Sequence, residues 1–201
     1  LGGRLVLIEV GSGDVVELEA EPGAFDPRLD PTGRLVAYVA DGALRAVGPD
    51  HADQLVIGES DVTWGAADFI AAEELNRTRG FWWSPEGDRL VVERVDESPV
   101  ATWHIASPAE PWVEPRAIRY PAAGTANAAC ALALVDLVGG RVDVEWDADA
   151  FPYLVDVTWV PDGPLLVTVL DRAQRTLVVL SVDADSGATT EVHRQTDDAW
   201  V

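Results

Sequence analysis

Lysine and methionine are missing from this 201-residue chain, which has a single cysteine and three histidines. Each shortage closes off a class of protein. One cysteine, Cys130, cannot form an internal disulfide, and its place in the apolar run from Ala128 to Val135 reads as a buried structural thiol. His51, His104 and His193 are widely spaced, so no zinc ligand cluster forms in sequence. No Gly-x-Ser-x-Gly elbow occurs, and a Ser-His-Asp triad is not expected within the chain. Catalytic residues, metal ligands and cofactors are therefore expected to be absent from it. With no lysine, all 14 basic residues are arginine, against 35 acidic ones, for a net charge of −21. Such a surface repels nucleic-acid phosphates and anionic membranes and favours cationic groups as ligands, although solubility alone accounts for it equally well. Apolar runs are far too short to cross a bilayer. Starting at Leu1 without methionine, the chain reads as a fragment or processed product whose ends need not be domain ends. The compartment is open, the single cysteine and lack of a leader leaning toward the cytoplasm.

What is present is mostly strand. The apolar share is 48%, enough for a packed core. Leu5–Val10 and Val15–Glu19 flank a Gly-Ser-Gly-Asp turn and read as a hairpin; Thr176–Val182 and Thr189–His193 repeat that design. Between them an apolar strand enters and leaves a Pro-x-Gly turn three times, at 31–33, 85–87 and 161–163. Proline presets φ at the second turn position and glycine accepts the exit geometry, so each copy predicts a tight hairpin. Recurrence at this scale suggests propeller blades of about 40–50 residues with insertions. The fold class is all-β: a partial β-propeller of about four blades, with a β-sandwich as the alternative. Two insertions are expected, at 66–78 and at 107–151, the second holding a strand at Ala131–Leu137. The first is the one helical stretch, Ala66–Arg77, with Asp68 as its cap or in its first turn.

The adjacent carboxylates Glu73 and Glu74 are the candidate binding residues. Random placement of the acidic residues would give roughly six adjacent pairs, more than occur, so adjacency alone points to a solvated helix face. The functional alternative is physical. A primary ammonium offers three N–H donors and one charge, and two converging carboxylates satisfy most of them. Neighbours on a regular helix diverge by about 100°, so convergence requires a helix end or a distorted turn. The alternating acids Asp143, Glu145, Asp147 and Asp149, and the pair Asp183 and Asp185, do not complete a calcium loop and read as solvated. Trp82 and Trp83 point to opposite faces of their strand and are expected to pack in the core and between blades.

Several ordered motifs resemble one family. Asp68-Phe-Ile-Ala-Ala-Glu-Glu-Leu75 followed by Phe81-Trp-Trp-Ser-Pro-Glu-Gly87 resembles the dipeptidyl peptidase IV family of the prolyl oligopeptidase clan. Asp96–Val100, Tyr120–Asn127, Tyr153–Trp159 and Asp171–Arg175 match further family segments in order. The chain departs from the pattern at Ala71, Ala72, Ala122 and Ala128, and the arginine that contacts substrate in some members is not identifiable. The resemblance implies that residues 1–201 are a fragment of the N-terminal eight-bladed propeller, the catalytic α/β-hydrolase domain lying outside the chain. It implies that Glu73 and Glu74 hold the N-terminal ammonium of a peptide, so that a serine exopeptidase releases dipeptides ending in Pro or Ala. Expected partners are such a peptide, the hydrolase domain of the same polypeptide and, as an option, a second copy. The alternative is a non-catalytic propeller, a scaffold or sensor whose hydrolase domain is inactive or missing.

Overall fold

The computed structural model describes residues 4–201, so the expected domain start at Leu1 lies outside the described residues. Strands β1 (Val6–Ile8) and β2 (Val15–Glu17) form a hairpin. Strands β3 (Phe25–Leu29), β4 (Val36–Ala40), β5 (Ala43–Gly48) and β6 (His51–Ile57) form an antiparallel meander in chain order. A second sheet is assembled from β7 (Thr63–Trp64), β8 (Phe81–Trp83), β9 (Arg89–Asp96), β12 (Ala129–Asp136) and β13 (Arg141–Val144). Helix α1 (Phe69–Glu74) lies between β7 and β8, and the separate hairpin β10 (Thr102–Ile105) with β11 (Arg116–Arg119) lies between β9 and β12. A third sheet is the meander β14 (Tyr153–Trp159), β15 (Leu165–Leu170), β16 (Thr176–Val182) and β17 (Thr189–Thr196). The result is the propeller architecture: three blades in series, with the β1–β2 hairpin ahead of them.

The strand period of two explains how blades stack. On β4, Ala37 and Val39 join one apolar layer while Val36, Tyr38 and Ala40 join another on the opposite face. On β9, Leu90 and Val92 face the first blade while Val91 faces the third. On β12, Ala133 and Val135 go one way and Leu132 and Leu134 the other. The middle sheet is therefore covered on both faces, which is why its central strands read as unbroken apolar runs. Trp82 and Trp83 follow the same alternation. Trp82 packs into the layer shared with the third blade and Trp83 into the layer shared with the first, where its indole N–H donates to the Arg28 carbonyl at 3.1 Å.

The three Pro-x-Gly hairpins connect β3 to β4, β8 to β9 and β14 to β15, as expected. Gly33 and Gly87 adopt φ of 77° and 70°. The third turn differs: Asp162, not Gly163, takes the left-handed conformation, at φ 53°. In the first two turns the residue before proline also caps the loop. Asp30 accepts from the Arg34 N–H, and Ser84 Oγ accepts from the Asp88 and Arg89 N–H groups. Val160, the third counterpart, has no side-chain acceptor to offer.

One expected boundary is corrected. The stretch 107–151 is not a single insertion. Residues 129–144 supply β12 and β13, which belong to the middle blade and pair directly with β9. What departs from the blade is the β10–β11 hairpin. The strand expected at Ala131–Leu137 is β12, which begins at the exposed Ala129, becomes fully buried only from Leu132 and belongs to the blade rather than to an insertion.

Candidate functional site

Helix α1 is shorter than the expected Ala66–Arg77 stretch, and of the two places expected for Asp68 the structure shows the cap. Asp68 is the N-cap: its carboxylate accepts from the Ile70 N–H at 2.9 Å and the Ala71 N–H at 3.3 Å. Leu75 ends the helix, donating its N–H to the Ala71 carbonyl, and Asn76 turns the chain away at φ 54°. Ala71 is the fully buried contact; its carbonyl also receives the Arg77 N–H at 3.0 Å. Phe69 meets the edge of Tyr120 with ring centroids 5.3 Å apart, and Tyr120 in turn meets Trp103 of β10, so the projecting hairpin braces the helix.

Glu73 and Glu74 are the last two residues of the helix. Both are exposed, and among the described residues neither belongs to an ion pair. The helix end is the setting in which adjacent side chains can converge, but it is also the negative end of the helix dipole. Like charges on adjacent residues repel, and a carboxylate is disfavoured at the negative end of a helix. Two adjoining clefts of about 370 Å³ each open next to this end. They share Arg77, Arg79 and Asp156 in their walls, and one reaches Leu75, immediately after the Glu pair. The carboxylates themselves stand outside those walls.

Beneath the helix lies a cluster that the sequence reading did not find. Arg77, 6% exposed, forks onto the fully buried Glu93 of β9, with Nη1–Oε2 at 2.5 Å and Nη2–Oε1 at 2.9 Å. The same guanidinium donates to the Leu154 carbonyl on β14 at 3.2 Å and to the Arg79 carbonyl at 2.7 Å, and lies 3.5 Å from Asp68. Cys130 completes the group, its sulfur within 4.8 Å of both carboxylates. Burial raises the Glu93 carboxyl to about 7, although the hydrogen bonds and charge of Arg77 pull it down. At Arg77 burial works against the charge, and the bonds to Glu93 outweigh it, so the guanidinium is held protonated. Burial likewise pushes the Cys130 thiol up, with Asp68 and Glu93 adding to the effect. Asp68, Glu93 and Cys130 are spaced as metal ligands could be, but the cation among them is Arg77 itself. Cys130 is partly buried and lies beside the two carboxylates, not in the purely apolar setting that its sequence neighbours suggested.

Arg79 is the other arginine of this wall. It is half-buried, stacks 5.8 Å from the Trp82 ring centroid and donates to the Phe81 carbonyl. Burial, then the charge of Arg28, holds its pKa below the usual guanidinium value. The remaining sequence candidates are brought to no common site. His51, His104 and His193 are exposed on β6, β10 and β17. Asp143 pairs with Arg141, Asp147 accepts from the Ala150 N–H, and Asp183 accepts from the N–H groups of Asp185 and Ser186. These are turn and surface roles.

Stacked antiparallel blades, with a short helix set into one of them beside an open cleft, define a β-propeller region with a helical insertion. Residues 1–201 match the family model for the dipeptidyl peptidase IV (DPP IV) N-terminal region, and the chain belongs to that family. It is 29% identical over 144 residues to dipeptidyl peptidase 8 of Mus musculus, covering 60% of this chain and 16% of the relative. It is 27% identical over 186 residues to dipeptidyl aminopeptidase B of Saccharomyces cerevisiae, covering 82% and 22%. It is also 29% identical over 144 residues to the inactive dipeptidyl peptidase 10 of Rattus norvegicus, covering 68% and 18%. The crystal structure of Porphyromonas gingivalis dipeptidyl peptidase 4 superimposes with a TM-score of 0.87 at 24% identity, over 98% of this chain and 29% of that one. The chain thus spans less than a quarter of the length of these curated relatives.

Proposed function

We propose that this chain is the substrate-selecting propeller region of a serine exopeptidase that releases N-terminal dipeptides, with Glu73 and Glu74 anchoring the peptide's ammonium. The observation that carries this reading is a like-charge pair at the end of a capped, braced helix, exposed and without a cation of its own, in a chain of this family. A substrate ammonium supplies the missing charge and donors, relieving the repulsion between the two carboxylates and with the helix end. Holding the amine at a set distance from a nucleophile in the hydrolase domain makes the second peptide bond the one within reach, and orientation then contributes to rate as well as affinity.

The test uses the full-length protein. Glu73→Gln and Glu74→Gln are each expected to lower kcat/KM on an Xaa-Pro amide while leaving the melting temperature in place. Acetylating the substrate amine should reduce wild-type turnover to the level of the variants. Near-wild-type kcat/KM in both variants rejects the assignment. A non-catalytic scaffold is the second reading, favoured by the similarity to an inactive dipeptidyl peptidase. Covalent labelling of the full-length protein by a fluorophosphonate separates the two, since only an intact serine nucleophile is labelled.

A further inference from the structure

We propose that Arg77 and Glu93 are positioning residues: a buried ionic clip that closes the segment 68–77 into a loop and so sets where Glu73 and Glu74 stand. The inference deepens the amine-anchor reading and rests on it. The geometry is that of a loop pinned at both ends to one point. At its start, Asp68 caps α1 and lies 3.5 Å from the Arg77 guanidinium. At its end, Arg77 returns its own N–H to the Ala71 carbonyl and its side chain to Glu93. The guanidinium also reaches the Leu154 carbonyl of the next blade, so the clip is referenced to two blades and not to the insertion alone.

This arrangement answers a problem created by the helix. At six residues, α1 is far too short to be stable by itself, and its C-terminal turn holds two repelling carboxylates. A planar fork with several donors, fixed by a fully buried acceptor, is suited to define such a turn in position and angle. A point charge of similar sign would hold the loop nearby without fixing its rotation.

The experiment uses the full-length protein with both residues replaced by leucine, Arg77→Leu with Glu93→Leu, because removing both charges avoids leaving one buried alone. Glu93→Gln, which keeps the volume and one acceptor, is the second variant should the double one fail to fold. Five quantities are measured: the melting temperature, KM and kcat on an Xaa-Pro amide, hydrolysis of a small activated ester that has no amine, and hydrogen exchange of the 70–76 amides. Loss of register predicts about a tenfold rise in KM with ester hydrolysis unchanged and faster exchange confined to 70–76. A folded variant with wild-type KM and unchanged exchange at 70–76 overturns the clip. The Glu73→Gln and Glu74→Gln enzymes are run alongside. If they lose activity while the clip variant keeps it, the clip is wrong and the amine anchor stands. If they keep activity, the anchor fails, and the exchange measurement alone decides the clip: faster exchange at 70–76 sustains it and unchanged exchange overturns it.

Discussion

Helix α1 separates two groups of charges that share a segment but obey opposite rules. Below it, Asp68, Arg77 and Glu93 are taken out of water and must satisfy one another. Above it, Glu73 and Glu74 remain in water and pair with no charged group among the described residues. In the buried group the desolvation cost of each ion is offset by charge, a forked geometry and carbonyl acceptors, so its cation has to be built in. In the exposed pair solvent makes the mutual repulsion tolerable, so the cation can be left to a ligand. The lesson is that an acidic residue in this chain is informative through what neutralises it. Turn acids such as Asp183 are neutralised by backbone N–H groups, Glu93 by Arg77, and the Glu pair by no group in the described residues.

That contrast can be broken experimentally. The largest effect is expected from Arg77→Ala alone, which strands the Glu93 carboxylate in the core and should cost about 3–5 kcal/mol, read as a fall in the denaturant midpoint. Next, losing either member of the Glu pair should remove about 1.5–3 kcal/mol of transition-state stabilisation on a free-amine substrate. Stability should hold or rise by about 0.3–1 kcal/mol, because a charge leaves the wrong end of a helix. Opposite outcomes, stability lost at Glu73 or unaffected at Arg77, would mean the two groups have been assigned the wrong roles.

A smaller effect comes from pH. The Glu93 carboxyl moves from an ordinary 4.5 when unfolded to about 7 when folded, so between these values the folded state binds more protons. Stability contributed by this group is therefore full below pH 4.5 and declines as pH rises toward 7. Arg77, Asp68 and Cys130 are the groups that face it. Relative to wild type, Glu93→Gln should flatten this pH dependence across that window, and pH-dependent chemical denaturation of both proteins checks it. The smallest effect is ionic strength. Raising salt from 0.05 to about 0.5 M should raise KM several-fold through the exposed pair while the buried clip, beyond the reach of counterions, leaves the exchange rates at 70–76 unchanged.

The blades were legible because strand alternation, Pro-x-Gly turns and the Trp82-Trp83 step each act over a few residues. Asp68 was legible as a cap for the same reason. The strand at Ala131–Leu137 was legible as β12, but its place in the middle blade was not, because the pairing with β9 is made across the hairpin excursion and local composition says nothing of it. The third turn differed because nothing local decides which of Asp162 and Gly163 takes positive φ. Arg77 and Glu93 gave no signal, since a single arginine and a single glutamate on different elements look like surface residues until the chain brings them together.

The amino-acid order alone determined an all-β repeating chain, its family, its turns and a conspicuous acidic pair, because those depend on short-range stereochemistry and on motifs that run continuously. Only the tertiary structure decided which charges are buried and which are left facing water. Burial is a property of neighbouring sheets, and the free energy of an ion depends on the medium and partners that those sheets bring to it.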